Sequence, residues 1–140
     1  MSSSLEAAKA FLQTAFERAS IAKTMGMCLT YDDEGNATVL LPRHSGYDHG
    51  MGDTHGGILA VMLDTAGWFT VAAHCRKMVL TADLHVRMLE GAKHQDLTAT
   101  ARVVRGGSRL ATADMRLTSA DGRLVATATA SFSVLGDLSS

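Results

Sequence analysis

The sequence has little proline, cysteine, aromatic content or net charge. Its 140 residues include one proline, two cysteines and 5% aromatic residues, with 13 Lys and Arg against 14 Asp and Glu. A formal charge of −1 is too small to attract nucleic acid or an anionic membrane surface, so we expect neither as a partner. Cys28 and Cys75 lie among apolar residues without CxxC spacing. This arrangement predicts buried thiols in a reducing compartment, and therefore a cytoplasmic protein.

Signals for secretion or membrane insertion are also missing. The first twenty residues lack a basic start and contain Glu6 and Glu17, unlike a secretory signal. The longest apolar stretch, residues 58–73, is 16 residues long, shorter than the roughly 20 that cross a bilayer. With 46% apolar residues, the chain is expected to form a single domain over residues 1–140.

Hydrophobic periodicity predicts the elements of the first half. Apolar residues at three- and four-residue intervals predict an amphipathic helix over about residues 3–25, with a serine among Ser2–Ser4 as its N-cap. Residues 27–42 read as a hairpin that turns near Gly35. The Gly-, His- and Asp-rich residues 43–54 predict a functional loop.

The second half predicts one long helix followed by strands. The helix runs from His55 to about His74, with Asp53 or Thr54 as N-cap, and it is apolar nearly all round. Four strand-like runs follow, at residues 78–89, 96–104, 108–119 and 123–134. In the first run, alternation predicts one buried apolar face made of Leu80, Ala82, Leu84, Val86 and Met88. The economical packing is an α+β fold in which a curved antiparallel sheet wraps around the long central helix.

Asp64 is the most informative residue of that helix. It is the only acidic or basic side chain, histidine apart, between His55 and His74. Removing a carboxylate from water costs several kcal/mol unless it is hydrogen-bonded or protonated. The acid therefore either faces a cleft or, in the simpler interpretation, points to solvent from an exposed side of the helix.

The His55-Gly56-Gly57 turn at the start of the helix is the second feature. Free backbone N–H groups and the partial positive charge of the helix end suit a carbonyl oxygen that gains negative charge. Equally, the two glycines could simply allow tight packing. Gly57 and Asp64 are separated by about 10 Å along the axis, at roughly 1.5 Å per residue. Both groups can flank one substrate only if a second copy of the helix runs antiparallel alongside, which predicts a homodimer.

The segment HGGILAVMLDTAG, residues 55–67, resembles the HGG-x6-D-x2-G signature of hotdog-fold acyl-CoA thioesterases of the phenylacetate-degradation (PaaI-like) type. ADGRLVATATASFSV resembles their last strand, and the likeness predicts a hotdog core over about residues 26–135. It implies thioester hydrolysis by a homodimer that pairs into a dimer of dimers, or homotetramer, without cofactor or metal. Asp64 would be nucleophile or general base, a glycine N–H would polarise the carbonyl, and His55 would shape the pocket.

The resemblance also assigns secondary roles. Thr81 matches a position where the family often has Ser or Thr to orient water or the carboxylate. His49 stands where an Asn or Gln is common, which implies a different orienting group. The arginines Arg102, Arg105 and Arg109 form a basic patch suited to the phosphates of coenzyme A, or else a solvated hairpin. Trp68 belongs to core or dimer packing, or lines the acyl pocket.

Two other functions remain open at this point. A hotdog hydratase or dehydratase acting on enoyl or hydroxyacyl thioesters would need a His–acid pair, which His49 and Asp64 could imitate. A non-catalytic acyl-CoA-binding module would keep the pocket and lack turnover. A metal site in the 43–55 loop is disfavoured because its histidine and aspartate spacings match no compact ligand motif.

Overall fold

The fold is a six-stranded antiparallel sheet curved around one long helix. A computed structural model describes residues 4–138. The helices are α1 (Leu5–Arg18), α2 (Ser20–Met25) and α3 (Gly56–Cys75), and the strands are β1 (Cys28–Tyr31), β2 (Ala37–Leu41), β3 (Lys77–Met88), β4 (Leu97–Gly106), β5 (Leu110–Ser119) and β6 (Leu124–Asp137). The strand order is β1-β2-β4-β5-β6-β3. This arrangement confirms the hotdog layout that the sequence predicts.

The N-terminal helical region is two helices instead of the single helix expected over about residues 3–25. Ser4 caps α1, its side chain accepting the amide N–H of Ala7, so one of the three serines has the expected role; Ser2 and Ser3 lie outside the described residues. Ala19 is extended and interrupts the helix before α2. The second helix ends at Gly26, whose φ of 74° is the left-handed conformation that glycine adopts easily.

Helix α3 lies against strands β2 to β6, and its core face is closely packed. The buried residues of α3 are Leu59, Met62, Leu63, Ala66, Gly67, Thr70, Val71, Ala72 and Ala73. At 20 residues with a mean hydropathy of 1.4 in its most apolar window, α3 is longer than the 16-residue stretch suggests and is apolar enough to cross a membrane. Half of that window is buried inside the protein, as expected of a core helix.

The N-cap of α3 is His55, not Asp53 or Thr54. His55 is extended, and its Nδ1 accepts the amide N–H of Gly57 at 2.8 Å. Asp53 instead accepts the backbone N–H groups of Thr54 and Lys93, so its carboxylate fastens the loop to the β3–β4 connection. Sequence position alone does not distinguish these neighbouring acceptors.

A β-bulge changes which side chains of β3 share a face. Thr81 pairs with Phe132 and Asp83 pairs with Ser131, so Ala82 is an extra residue. The uninterrupted alternation expected from Leu80 to Met88 is therefore wrong. Thr81 shares the helix-facing side with the residues of even number beyond the bulge, namely Leu84, Val86 and Met88, whereas Leu80 lies on the opposite face and is 60% exposed.

The two cysteines differ from the expectation of buried thiols. Cys28 opens the edge strand β1 and is exposed. Cys75, at the end of α3, is half-buried, and that burial raises the pKa of its thiol. The apolar neighbours of Cys28 in sequence mislead because alternate residues of an edge strand face opposite sides.

Candidate active site

Asp64 and Thr81 form the centre of the candidate site. Asp64 is half-buried in the middle of α3, and the Thr81 hydroxyl donates to its Oδ1 at 2.8 Å. Burial raises the pKa of the Asp64 carboxyl, and the Thr81 hydrogen bond opposes that effect. The carboxyl therefore has a higher proton affinity than an ordinary aspartate and keeps one hydrogen bond that favours its charged form.

The HGG turn places one free backbone donor at the start of α3. The Gly57 N–H is taken by the His55 cap. Within residues 4–138, the Gly56 N–H donates to no acceptor. The thioether of Met88 lies over Gly56, because a Cβ built there would meet its sulfur at 2.6 Å. Gly56 therefore combines an unused amide with a flexible apolar cover.

One chain does not bring this donor to the carboxylate. Gly56 and Asp64 are eight residues apart on one helix, which corresponds to about 12 Å along the axis. The side of α3 that the sheet leaves uncovered carries Val61, Thr65 and Trp68 on either side of Asp64, all partly exposed. Beside it runs β3, an edge strand whose outer backbone groups have no strand partner among the described residues. Both surfaces are open to a second protein chain.

The loop histidines share one geometry. The Nδ1 atoms of His44, His49 and His55 each accept a backbone N–H two residues further on, at 2.9, 3.0 and 2.8 Å. In a neutral ring this places the proton on Nε2, which is then the free donor. His49 is exposed and does not touch Asp64 within the chain, so its orienting role stays a prediction that needs a partner subunit.

Arg43 was missed by the sequence reasoning and holds the loop in place. Its guanidinium donates to both carboxylate oxygens of Asp48, at 2.6 and 2.7 Å, and to the hydroxyl of Thr54. Its backbone N–H donates to Asp96 in the β3–β4 connection. The ion pair holds the pKa of Asp48 below its usual range. The sequence signal that could have indicated this role is the spacing of Arg43 five residues before Asp48 in one loop, where the two side chains can form a bidentate ion pair.

The three arginines expected to form one basic patch do not share one environment. Arg102 lies in the sheet opposite Asp114, on the face turned away from α3. Arg105 and Arg109 flank the β4–β5 turn, where Gly106 lies against His74 near the C-terminal end of α3. That end is remote from the HGG turn of the same chain, since Gly57 and His74 are seventeen positions apart on the helix, which corresponds to about 25 Å.

Trp68 lies one turn beyond Asp64 and is partly exposed. Its ring is 4.8 Å from that of Phe69, centroid to centroid, and Phe69 packs edge-on against Phe16 of α1. The contact with Phe69 fits the expected packing role, and the lining of the acyl pocket by Trp68 stays a prediction. Among residues 4–138, no three His, Cys, Asp or Glu side chains are grouped closely enough to hold a metal ion.

Comparison with known proteins extends these observations. The sequence pattern of the Thioesterase superfamily matches residues 51–126, from the loop before α3 to the start of β6. A candidate esterase of Halobacterium salinarum is 33% identical over 115 residues, which are 77% of this chain and 76% of that protein.

Solved structures agree with the fold. A thioesterase family protein from Silicibacter pomeroyi is 25% identical with a TM-score of 0.84, covering 90% of this chain and 96% of its own. The PaaI protein of the Escherichia coli phenylacetic acid degradation operon is 23% identical with a TM-score of 0.83, covering 92% and 95%. The match over more than half of the chain, together with the hotdog architecture and its HGG turn and helix acid, shows that this protein belongs to the thioesterase superfamily.

Proposed function

We propose that the protein hydrolyses acyl-CoA thioesters at a site shared by two subunits, with Asp64 as its acid–base or nucleophilic group. The observation that carries this proposal is a half-buried carboxylate, bonded to Thr81, in the middle of an otherwise apolar helix. Membership of the thioesterase superfamily supports hydrolysis of a thioester or ester bond. Acyl-CoA is the further step, since it is the common soluble thioester, and a cytoplasmic location would supply it.

The chemistry needs two groups on opposite sides of the substrate carbonyl. An amide N–H stabilises the oxygen that becomes negative, and the free Gly56 N–H at the positive end of α3 suits that task. On the other side, ionised Asp64 either takes a proton from the attacking water or attacks the carbonyl carbon itself. In the general-base route the attacking water forms the new C–O bond, the C–S bond breaks, and the proton held by Asp64 passes to the leaving thiolate. In the nucleophilic route the C–S bond breaks as Asp64 forms a mixed anhydride with the acyl group, the thiolate takes a proton from water, and a further water hydrolyses the anhydride to release the acid and restore Asp64.

A two-fold partner would bring these groups together. Antiparallel pairing of two α3 helices sets the N-terminus of one beside Asp64 of the other, which a single chain cannot do over about 12 Å. The open edge of β3 supports such pairing, as do the exposed apolar side chains of Leu80 and Met88, at 60% and 52% exposure. We include a dimer of dimers in the proposal as the complete assembly.

The first experiment measures thiol release from a panel of aromatic, short-chain and medium-chain acyl-CoA thioesters. Asp64→Asn should lower kcat/KM by about 10²- to 10⁴-fold, the range for loss of general acid–base catalysis. Asp33→Asn, an exposed aspartate in the β1–β2 turn, is the matched control and should retain full activity. Near wild-type turnover in Asp64→Asn would refute the assignment.

The second experiment tests the shared site by subunit mixing. Asp64→Asn removes the acid, and Gly57→Leu blocks close approach to the HGG turn, so each variant alone should be inactive. Refolding the two together should restore activity, because a mixed dimer contains one site with both wild-type halves. Failure of the mixture to recover, with mixed dimers shown to form, would place both groups in one chain.

Neither alternative function gains a specific contact from the structure. A hydratase would need a His–acid pair, and His49 does not reach Asp64 within the chain. The same panel with an enoyl-CoA added separates the cases, since loss of enoyl absorbance without thiol release would indicate hydration, and tight binding with neither change would indicate a binding module.

A further inference from the structure

The side chain of Met88 packs against the backbone of the HGG turn. A Cβ built on Gly56 would meet the Met88 sulfur at 2.6 Å and its terminal methyl group at 2.8 Å. Because that Cβ would be one bond of about 1.5 Å from its Cα, the sulfur lies within about 4 Å of the Gly56 Cα. Met88 is nevertheless 52% exposed. Its exposed side is the one from which a substrate and a second subunit would approach.

The backbone of Met88 is fixed, whereas its side chain is adaptable. Met88 is the last residue of β3 and pairs with Ala126 of β6. Immediately beyond it, the N–H groups of Leu89 and Glu90 both donate to the Val125 carbonyl. The methionine side chain is unbranched, has several rotatable bonds and fills irregular apolar surfaces. This combination is typical of a pocket wall that has a defined position and a yielding surface.

The side chains that adjoin this wall are apolar. Leu84, Val86 and Met88 follow one another along the helix-facing side of β3, and Ile58 follows the two glycines on α3. Leu84, Val86 and Ile58 are partly buried and pack against the core. Apolar surface of this kind favours an acyl group over the polar, amide-bearing arm of a thioester. The acyl side of the substrate therefore fits here best.

The reach of a bound thioester brings its α-carbon to Met88. A carbonyl oxygen that accepts the Gly56 N–H would lie about 2.9 Å from the nitrogen. The carbonyl carbon is about 1.2 Å further along, and the α-carbon of the acyl group follows after one more bond. A branch on the α-carbon would need the space that the thioether occupies within about 4 Å of the Gly56 Cα.

We propose that Met88 is a specificity-determining residue that contacts the acyl group at its α-carbon and selects against branching there. The inference rests on the proposed hydrolysis and names its substrate class, acyl groups that are unbranched at this carbon. Gly56 and Met88 belong to one chain, so Met88 acts in the amide half of the shared site. The acid of that site is Asp64 of the partner subunit.

The first test compares kcat/KM for butyryl-CoA and isobutyryl-CoA, which have equal numbers of carbon atoms and differ in branching. The wild type should prefer butyryl-CoA. Met88→Ala should raise the isobutyryl-to-butyryl ratio by about tenfold, the lower end of the range for one methylene in an apolar pocket. Met88→Leu, which keeps most of the side-chain volume, should keep the preference. Ile21→Ala shortens a side chain of α2 that is 53% exposed, and it should leave the ratio unchanged. An unchanged ratio in Met88→Ala would overturn the proposal.

Subunit mixing tests whether Met88 acts beside its own amide. In the mixed dimer of Asp64→Asn and Gly57→Leu chains, the amide half of the intact site comes from the Asp64→Asn chain. Met88→Ala added to that chain should change the ratio as much as it does in the uniform variant. Met88→Ala added to the Gly57→Leu chain should have no effect, because its Met88 lies at the blocked turn. Equal changes from both placements, or a change from the second alone, would overturn the proposal.

Methyl NMR distinguishes failure of this inference from failure of the proposed hydrolysis. Protein labelled with carbon-13 in its methionine methyl groups is titrated with a butyryl-CoA analogue in which a methylene replaces the thioester sulfur, so no hydrolysis can occur. The Met88 signal, identified by its loss in Met88→Leu, should shift until the analogue saturates the protein. A shift in a protein that releases no thiol from any thioester would refute hydrolysis and retain the contact. An unmoved Met88 signal would overturn the inference even if hydrolysis is observed.

Discussion

Replacing Thr81 by Val removes the hydroxyl that donates to Asp64 at 2.8 Å while keeping the shape of the side chain. Two effects follow for the carboxylate. It loses a hydrogen bond that favours its charged form, and the pKa of Asp64, already raised by burial, rises further. A base or nucleophile works only when ionised, so Thr81→Val should reduce activity most at acid and neutral pH.

The size of the loss follows from the strength of the bond. A hydrogen bond to a charged group contributes about 1.5–3 kcal/mol, and the half-exposed position of Asp64 favours the lower end of that range. At about 1.4 kcal/mol per factor of ten, kcat/KM should fall roughly tenfold. The acid limb of the pH–rate profile should move to higher pH.

The assay is thiol release from one acyl-CoA followed as a function of pH. Thr81→Ser keeps a hydroxyl and should recover most of the activity together with the wild-type acid limb. Thr65→Val is the matched control, because the Thr65 hydroxyl bonds the Val61 carbonyl one turn away and does not contact the carboxylate. If Thr81→Val shows an unchanged profile and unchanged kcat/KM, the hydrogen bond does not tune Asp64 and the reasoning is wrong.

Three further predictions concern the fold. Because burial raises the pKa of Asp64, the native state binds that proton more tightly than the unfolded chain; its stability contribution is present at low pH and lost as pH rises through the folded-state pKa. Asp64→Asn should therefore raise Tm at neutral pH by an amount that shrinks toward acid pH in calorimetry. Thr70→Val should cost about 1–3 kcal/mol in denaturant unfolding, because the buried Thr70 hydroxyl accepts the Ala37 N–H at 2.8 Å. Gly67→Ala should cost about 1–3 kcal/mol by the same measurement, since an added Cβ would meet the Phe132 ring at 3.0 Å; an unchanged midpoint in either variant would show that the core yields there.

The elements that follow from periodicity alone were predicted well. The apolar helix, the hairpin and the later strands all lie near their expected positions, because each buries a regular face. The break at Ala19 was not predictable, since alanine is the best helix former and nothing in the local sequence opposes continuation. Tertiary packing decides where that helix stops.

The candidate site, like the fold, was predicted only in part. Asp64 stands out because a lone charge in an apolar helix needs a reason, and the family resemblance supplied Thr81. The bulge at Ala82 and the ion pair of Arg43 with Asp48 were not found, because the strand register and the loop conformation that produce them are not specified by residue type.

The β-bulge at Ala82 divides β3 into two segments, one on each side of the register shift. Deleting Ala82 would keep the directions of Thr81 and Leu84, but would draw the far end of the strand about 3 Å closer to the carboxylate. The Met88 thioether would then slide off Gly56. The distance along β3 from Thr81, beside the acid, to Met88, beside Gly56, is thus set by the number of backbone units, so a single-residue insertion or deletion at this point would change it.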